Sequence, residues 1–125
     1  MKIRILFILI IFSLGIFLRL YQLGNLPPGV NIDEASHGYN VLSILETGKD
    51  RYGEFLPFAF RSFGTYLLPL YAYLSMVPVA ISGLNNFSVR LVSAIAGIFL
   101  IFVTYFVFQD SKLFSNRLRI LAVIL

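Results

Sequence analysis

The feature that most constrains this chain is an uncharged run of mainly apolar residues close to its start. Ile5 to Leu18 reads ILFILIIFSLGIFL, and the run continues to about Leu23 past a single arginine. A helix needs about 20 mainly apolar residues to cross the hydrocarbon core of a bilayer. The run therefore predicts a membrane helix over about residues 5–23.

The composition favours the same environment. Hydrophobic residues make up 58% of the chain and charged residues only 13%, whereas soluble domains carry about 25% charged residues. A folded chain of this size still exposes a large part of its surface, and these polar residues are too few to cover it. The composition thus excludes an ordinary soluble globule.

Two further stretches are long enough to cross a bilayer, at about residues 65–84 and 89–108. The first of them carries no charge but contains Pro69 and Pro78, which we expect to kink it or break it into halves. Residues 118–125 begin a fourth apolar run, so we expect the chain to be a piece of a longer protein. The predicted fold class is an all-α membrane protein with about three transmembrane helices and the start of a fourth.

The other compositional features exclude several kinds of site. Without cysteine there is no disulfide and no thiolate metal site, and a single histidine leaves few zinc constellations. The net charge of +4 is scattered along the chain, which gives little support to nucleic-acid binding. Lys2 and Arg4 precede the first run as in a signal sequence, but no small-residue cleavage site follows, which favours an uncleaved anchor.

The segment from Gly24 to Gly64 holds five of the six acidic residues, and we expect any chemistry to lie there. Asn31, followed three residues later by Glu34, predicts the start of a helix with a capping box, and Gly48 predicts its end. The apolar residues of this helix recur at helical spacing, which indicates an amphipathic helix on the membrane surface. These residues are Ala35, Tyr39, Leu42 and Leu45.

Asp33 and Glu34 lie side by side in the first turn of that helix. Acidic residues there complement the helix dipole by about 0.3 to 1 kcal/mol, and this alone is enough to explain them. Alternatively, one carboxylate is a general base that takes a proton from an attacking hydroxyl. Both interpretations are compatible with the sequence, and the second makes this pair the candidate catalytic residues.

Other residues of the loop are candidates for binding substrate. His37 follows Asp33 by four residues on the same helical face, so the two could supply half of a divalent metal site, although a solvated histidine is the commoner case. Arg61 offers positive charge to a phosphate, and so do Lys49 and Arg51, although such cations also meet water or anionic headgroups. The many aromatic residues, Tyr66 among them, suit an interfacial belt or the stacking of a sugar.

Three pieces of the chain together resemble a known superfamily. They are LPPGVNIDEASHGYNVLSILETGKDRYGEFLPF, FGTYLLPLYAYL and GLNNFSVRLVSAIAG. In order and spacing they are similar to the N-terminal part of the GT-C membrane glycosyltransferases. This superfamily includes protein O-mannosyltransferases and the aminoarabinose transferase that acts on lipid A.

The resemblance implies an enzyme that transfers a sugar from a polyprenyl-phosphate carrier to a hydroxyl-type acceptor on a glycan, lipid or protein. Its active site would lie on the extracytoplasmic side of the plasma membrane, with Asp33 as the base and Glu34 as its neighbour. Arg90, in NNFSVRL, would correspond to a family arginine with a structural or supportive role, and it is a candidate for the substrate-binding site. The carrier is already activated, so the resemblance implies no nucleotide-binding loop and no cofactor.

One stretch departs from the family pattern. Relatives often read F-G-D-Y-K-P-P-L where this chain has FGTYLLPL, so Thr65, Leu67 and Leu68 stand in place of an acid, a lysine and a proline. A leucine cannot neutralise a donor phosphate. Arg61 or a residue beyond the end of this sequence would have to supply the charge, or the chain handles its donor differently or has lost activity.

The positive charges bear on the topology. With the N-terminus inside and a full crossing at residues 65–84, only three basic residues lie inside and six outside, against the positive-inside rule. A segment that dips into the bilayer and returns would restore the rule. The length of the uncharged stretch nevertheless favours the full crossing.

A second class of function is also compatible with the sequence. The chain would then be a small non-catalytic membrane protein or a truncated remnant with a packing role. The end at Leu125 and the missing lysine motivate this alternative. On either view, we expect the 125-residue piece alone to transfer no sugar.

Overall fold

The computed structural model describes residues 2–62 and 64–110 and is mostly helical, as predicted. Its helices are α1 (Lys2–Leu20), α2 (Ile32–Thr47), α3 (Pro69–Ser82) and α4 (Asn86–Asp110). The first predicted helix, at about residues 5–23, is helical as far as Leu20, where α1 ends, and the third, at about 89–108, falls within α4. The fourth run, at residues 118–125, lies outside the described residues.

A β-hairpin, which an all-α fold does not include, interrupts the helices. Strands β1 (Phe60–Ser62) and β2 (Thr65–Leu67) pair antiparallel. Gly64 precedes β2 and has a φ of 83°, a conformation that residues with a Cβ rarely adopt. The turn between β1 and β2 therefore depends on Gly64.

The chain divides into two compact units, Gln22–Val92 and the paired segments Met1–Tyr21 and Ser93–Leu125. In the paired segments, α1 and α4 run antiparallel, and the Phe12 ring packs against Phe102 at a centroid distance of 4.9 Å. Nearer the other end of α1, the Arg19 guanidinium occupies the space that a Cβ on Gly97 would need. The absence of a side chain at Gly97 of α4 thus leaves room for the Arg19 side chain of α1.

The core of the Gln22–Val92 unit lies between α2, α3 and β1. Its buried apolar side chains are Val41, Ile44, Phe60, Ala72 and Val79. The other face of α2, predicted to meet the membrane, remains mostly exposed, and Tyr39 is 59% exposed. Contact of that face with lipid stays a prediction.

Within the described residues, one helical stretch is long and apolar enough to cross a membrane, Asn86–Val107 of α4. The apolar part of α1, Leu6–Leu20, and the whole of α3 are apolar but shorter than this stretch. Three crossings are therefore not shown.

The helix predicted over residues 65–84 is wrong in its extent. Its first residues form β2, and α3 begins only at Pro69, where a proline is well tolerated because the first helical N–H groups have no partner within the helix. The helix continues through Pro78 and ends at Ser82. Fourteen residues span about 21 Å, less than the hydrocarbon core of about 30 Å.

The start of α4 lies beside the segment that follows α1. The side-chain amide of Asn86 donates to the carbonyl of Gly24 at 3.3 Å. A Cβ built on Gly24 would lie 3.4 Å from the Cβ of Phe87. The expected full crossing at residues 65–84 would put these residues on opposite sides of the bilayer, which this contact does not allow.

The contact predicts a disulfide in the double variant Gly24→Cys/Phe87→Cys. Cβ atoms in disulfides are about 3.5 to 4.5 Å apart, which the built position nearly matches. The chain has no cysteine of its own, so thiol labelling of the oxidised variant should be lost and should return on reduction. Each single variant is the control and should label under both conditions, whereas persistent labelling of the double variant would contradict the contact.

Candidate acidic site at the start of helix α2

The start of α2 is fixed by the predicted capping box. Asn31 is the N-cap, and its side-chain oxygen accepts a hydrogen bond from the backbone N–H of Asp33 at 3.2 Å. The Glu34 carboxylate accepts one from the backbone N–H of Asn31 at 3.1 Å. At the other end, the N–H of Gly48 donates to the carbonyl of Ile44, so both predicted ends of the helix are confirmed.

Glu34 forms a two-point ion pair with Arg90 of α4. The Nε and Nη2 groups of Arg90 donate to the two carboxylate oxygens at 2.8 and 2.9 Å. The Arg90 side chain is 5% exposed and that of Glu34 is 27% exposed. Paired donors and acceptors of this kind fix both the distance and the orientation of the two side chains.

The remaining donors of Arg90 hold the segment that leads into α2. Nη1 donates to the carbonyls of Leu23 and Pro27 at 3.2 and 3.1 Å, and Nη2 donates to that of Gly29 at 2.7 Å. Together with the two bonds to Glu34, these contacts occupy all five N–H groups of the guanidinium. Arg90 therefore supports the site structurally, and in this conformation it has no N–H group left for a substrate phosphate.

The ion pair also determines the charge of Glu34. The side-chain hydrogen bond from Arg90 holds the pKa of Glu34 below its ordinary value, against the smaller opposing effect of burial. A carboxylate that is held ionised and occupied on both oxygens is a poor proton acceptor. Of the predicted pair, Glu34 positions the helix and is not suited to act as the base.

Asp33 differs from its neighbour. Its side chain is exposed, and among residues 2–62 and 64–110 its carboxylate accepts no hydrogen bond and forms no ion pair. The residue is held through its backbone, by the cap on one side and by the anchored Glu34 on the other. The structure thus separates the two acids into a structural group and an accessible carboxylate.

His37 lies one turn further along α2 and is half-buried. Its ring meets that of Tyr71 edge-on at a centroid distance of 4.9 Å, and its Nδ1 atom is buried without a hydrogen-bond partner in the described part of the chain. Burial lowers the pKa of His37, and the charge of Asp33 only partly offsets this effect. No group of three or more His, Cys, Asp and Glu residues able to hold a metal occurs in the same part of the chain.

The lowered pKa predicts how the stability of the unit depends on pH. Because the folded pKa lies below the ordinary 6.5, the unfolded chain binds the proton more readily, and stability falls as the pH drops below 6.5. His37 is the only histidine of the chain, so His37→Gln should remove the dependence between about pH 7 and pH 5. The free energy of unfolding of both proteins, measured in detergent at the two pH values, tests this. If the wild type and His37→Gln lose the same stability between the two pH values, the burial of the ring is contradicted.

Arg61 and Tyr66 face each other across the hairpin, and both are exposed. The Arg61 guanidinium lies 5.2 Å from the centre of the Tyr52 ring. Its neighbour Ser62 is buried, and the hydroxyl of Ser62 lies 3.4 Å from that of Ser36 on α2. Because adjacent side chains of a strand point to opposite faces, Arg61 points away from the side of β1 that meets α2.

A cleft in the Gln22–Val92 unit does not include Asp33 or Glu34. It has a volume of about 410 Å³ and is lined by Gly24, Asn25, Asn85, Asn86 and Phe87. The carbonyls that bind Arg90 were not found from the sequence, because they carry no residue-type pattern. The pairing of Glu34 with Arg90 was also missed, since the residues are 56 positions apart.

Comparison with known proteins gave no match to this chain among protein-family models, curated proteins or solved structures.

Proposed function

We propose that this chain is the N-terminal part of a membrane glycosyltransferase in which Asp33 is the general base. The observation that supports this most is the difference in surroundings between Asp33 and Glu34. Glu34 is tied to Arg90 and to the helix cap, and this leaves the carboxylate of Asp33 exposed on a firmly positioned first turn. The ordered resemblance to the GT-C superfamily supplies the class of reaction.

In the proposed reaction, Asp33 takes the proton of an acceptor hydroxyl. The acceptor oxygen then forms a bond to the anomeric carbon of the sugar, while the bond from that carbon to the phosphate oxygen breaks. The polyprenyl phosphate leaves with the bonding electrons, and the proton remains on Asp33 until solvent removes it. The acceptor is a hydroxyl-type group of a glycan, lipid or protein.

The donor phosphate requires a cation, which FGTYLLPL does not provide. Thr65 and Leu67 lie in β2, and the exposed arginine of the paired strand is Arg61. We assign the phosphate contact to Arg61, with Tyr66 opposite it as a surface for the sugar or the lipid headgroup. His37, neutral because of its burial, would line the acceptor side beside Asp33.

The proposal places the Gln22–Val92 unit on the extracytoplasmic side of the plasma membrane. The helices α1 and α4 then cross the bilayer, and Lys2 and Arg4 lie inside. The contact between Gly24 and Asn86 supports this arrangement, because the end of one crossing and the start of the other then share a side. The positive-inside rule supports it as well, since Lys112, Arg117 and Arg119 would also lie inside.

The non-catalytic alternative is favoured by one observation. Glu34 and Arg90 are both held by hydrogen bonds within the fold, so the family resemblance at these positions is explained by folding without any reaction. On that view, Asp33 only complements the helix dipole. The chain would then be a packing element of the membrane and inert toward every lipid-linked sugar.

A transfer assay separates the two functions. Membranes that contain the complete protein are supplied with radiolabelled sugars on polyprenyl phosphate, one donor at a time. The proposal expects transfer from at least one hexosyl or pentosyl donor, and membranes without the protein are the control. Absence of transfer from the whole panel, with the protein correctly inserted, would favour the packing role.

A further inference from the structure

Two arginines of the Gln22–Val92 unit meet on one tyrosine ring. The guanidinium carbon of Arg51 lies 5.0 Å from the centre of the Tyr52 ring, and that of Arg61 lies 5.2 Å from the same centre. Each distance is within the range of a cation–π interaction. The ring, which is 54% exposed, thus holds two positive charges close together at the surface.

The turn that carries Arg51 and Tyr52 is fixed by buried groups. The backbone N–H of Arg51 donates to the side-chain oxygen of Asn40 at 3.3 Å, and Asn40 is fully buried on α2. The carboxylate of Asp50, also buried, accepts the backbone N–H groups of Tyr52 and Glu54, each at 2.9 Å. These contacts fix the position of the ring before any ligand binds.

The hairpin brings Arg61 to the same place. Its carbonyl accepts a hydrogen bond from Nη2 of Arg51 at 3.0 Å. Its side chain is exposed and, in the part of the chain that the structure describes, forms no ion pair and donates no hydrogen bond. Tyr66, opposite it in β2, is 73% exposed. The five N–H groups of the Arg61 guanidinium are therefore open to a ligand.

The charges of this cluster favour an anionic ligand. Two guanidinium groups that share one ring repel each other, and an anion bound to both would offset that repulsion. The acidic residue nearest in sequence does not take this place, because Asp50 is buried and binds backbone N–H groups. The planar fork of a guanidinium matches the oxygens of a phosphate, to which it donates two hydrogen bonds.

We propose that Arg51, Tyr52 and Arg61 form a binding site for a phosphate group, which both guanidinium groups contact. The ligand is a phosphate that is either free in solution or carried on the headgroup of a lipid. The site adds a second arginine and an aromatic ring to the phosphate contact of the proposed function, and to that extent it rests on that function. Binding requires no sugar transfer and is measurable without it.

The absence of tryptophan from the sequence supplies a reporter for this site. Tyr52→Trp keeps an aromatic face for both arginines and makes residue 52 the only source of indole emission. The full chain is placed in phosphatidylcholine nanodiscs at a constant ionic strength of about 0.15 M, so that a general effect of charge is screened. The probes are inorganic phosphate in solution and, in separate samples, phosphatidic acid or polyprenyl phosphate within the nanodisc.

A saturable change of emission is expected with at least one probe. Arg61→Gln and Arg51→Gln, each made in the Tyr52→Trp protein, should weaken binding by about tenfold or more, because each removes charge-assisted hydrogen bonds. Arg61→Lys keeps the charge without the fork and should fall between. The control, Glu46→Gln at an exposed position of α2, should bind as the parent does.

The three probes distinguish the sources of the phosphate. Binding of inorganic phosphate at least as tight as that of either lipid identifies a free anion. Tighter binding of phosphatidic acid identifies a lipid headgroup, and tighter binding of polyprenyl phosphate identifies the carrier of the sugar. Each of these results supports the site, provided that Arg61→Gln loses it.

Two results would overturn the site: no saturation with any of the three probes, or equal binding by the parent and Arg61→Gln. Arg61 is exposed, so its replacement should leave the fold intact, and Arg51→Lys is the second variant if Arg51→Gln unfolds. Broadening of the ³¹P resonance by the wild type checks that Tyr52→Trp has not altered the site. Binding without sugar transfer would support the site against the transferase, whereas transfer without binding here would overturn the site alone.

Discussion

Replacing Glu34 with glutamine is expected to destabilise the Gln22–Val92 unit by about 1.5 to 3 kcal/mol, the usual contribution of a hydrogen bond to a charged group, because only the Arg90 side of the pair is fully buried. Arg90 is 5% exposed and would keep its charge without the carboxylate that now neutralises it. The exposed Glu46→Gln, on the same helix, is the matched control and should change stability by less than about 0.5 kcal/mol. Denaturant unfolding in detergent measures both variants.

Two further measurements separate the ion pair from other effects of the substitution. The double variant Glu34→Leu/Arg90→Leu should be more stable than the sum of its single variants predicts, with a coupling of about 1 kcal/mol or more. The wild type should also lose stability as the pH falls below 4.5, because Arg90 holds the pKa of Glu34 below that value. Glu34→Gln should lack this acid-dependent loss, and a loss as large as in the wild type would contradict the assignment.

Replacing Asp33 with asparagine is expected to lower the rate of sugar transfer by about 100-fold or more, the typical contribution of a general base. Asparagine keeps the size of the side chain and removes only its capacity to take a proton. Stability should change little, because the carboxylate is exposed and makes no hydrogen bond in the part of the chain that the structure describes. The readout is transfer from a polyprenyl-phosphate donor by the complete protein, beside an unfolding curve.

The activity of Asp33→Asn distinguishes a catalytic from a structural role of Asp33. Loss of transfer with normal insertion and stability would support Asp33 as the base, provided that Glu46→Gln remains active. Full activity of Asp33→Asn would remove Asp33 from the mechanism. Because Glu34→Gln is expected to act through stability, its activity should be compared only with that of protein shown to be folded.

Local sequence patterns were enough to predict α2. Asn31 and Glu34 satisfy backbone donors within the first turn, and Gly48 adopts a φ of 74° that ends the helix. Each of these effects involves residues at most four positions apart, so no knowledge of the tertiary fold is required. The long apolar run that became α4 was predictable for the same reason.

The extent of α3 and the hairpin could not be predicted from apolar length alone. A run of 20 uncharged residues fits a crossing helix, a strand followed by a shorter helix, or a segment that returns to the same side. Thr65–Leu67 pairs with Phe60–Ser62 instead of extending the helix. That choice depends on a partner strand and on Gly64, whose φ of 83° closes the turn.

The sequence by itself determined where α2 begins and ends and that most of the acidic residues gather in one segment, and it predicted a membrane environment. These properties follow from composition and from contacts within a few residues. Only the tertiary structure decided that Glu34 is bound to Arg90 while Asp33 is exposed, and that Gly24 meets the start of α4. Such pairings join residues more than 50 positions apart, and the spacing of residues along a chain does not specify which distant charges meet.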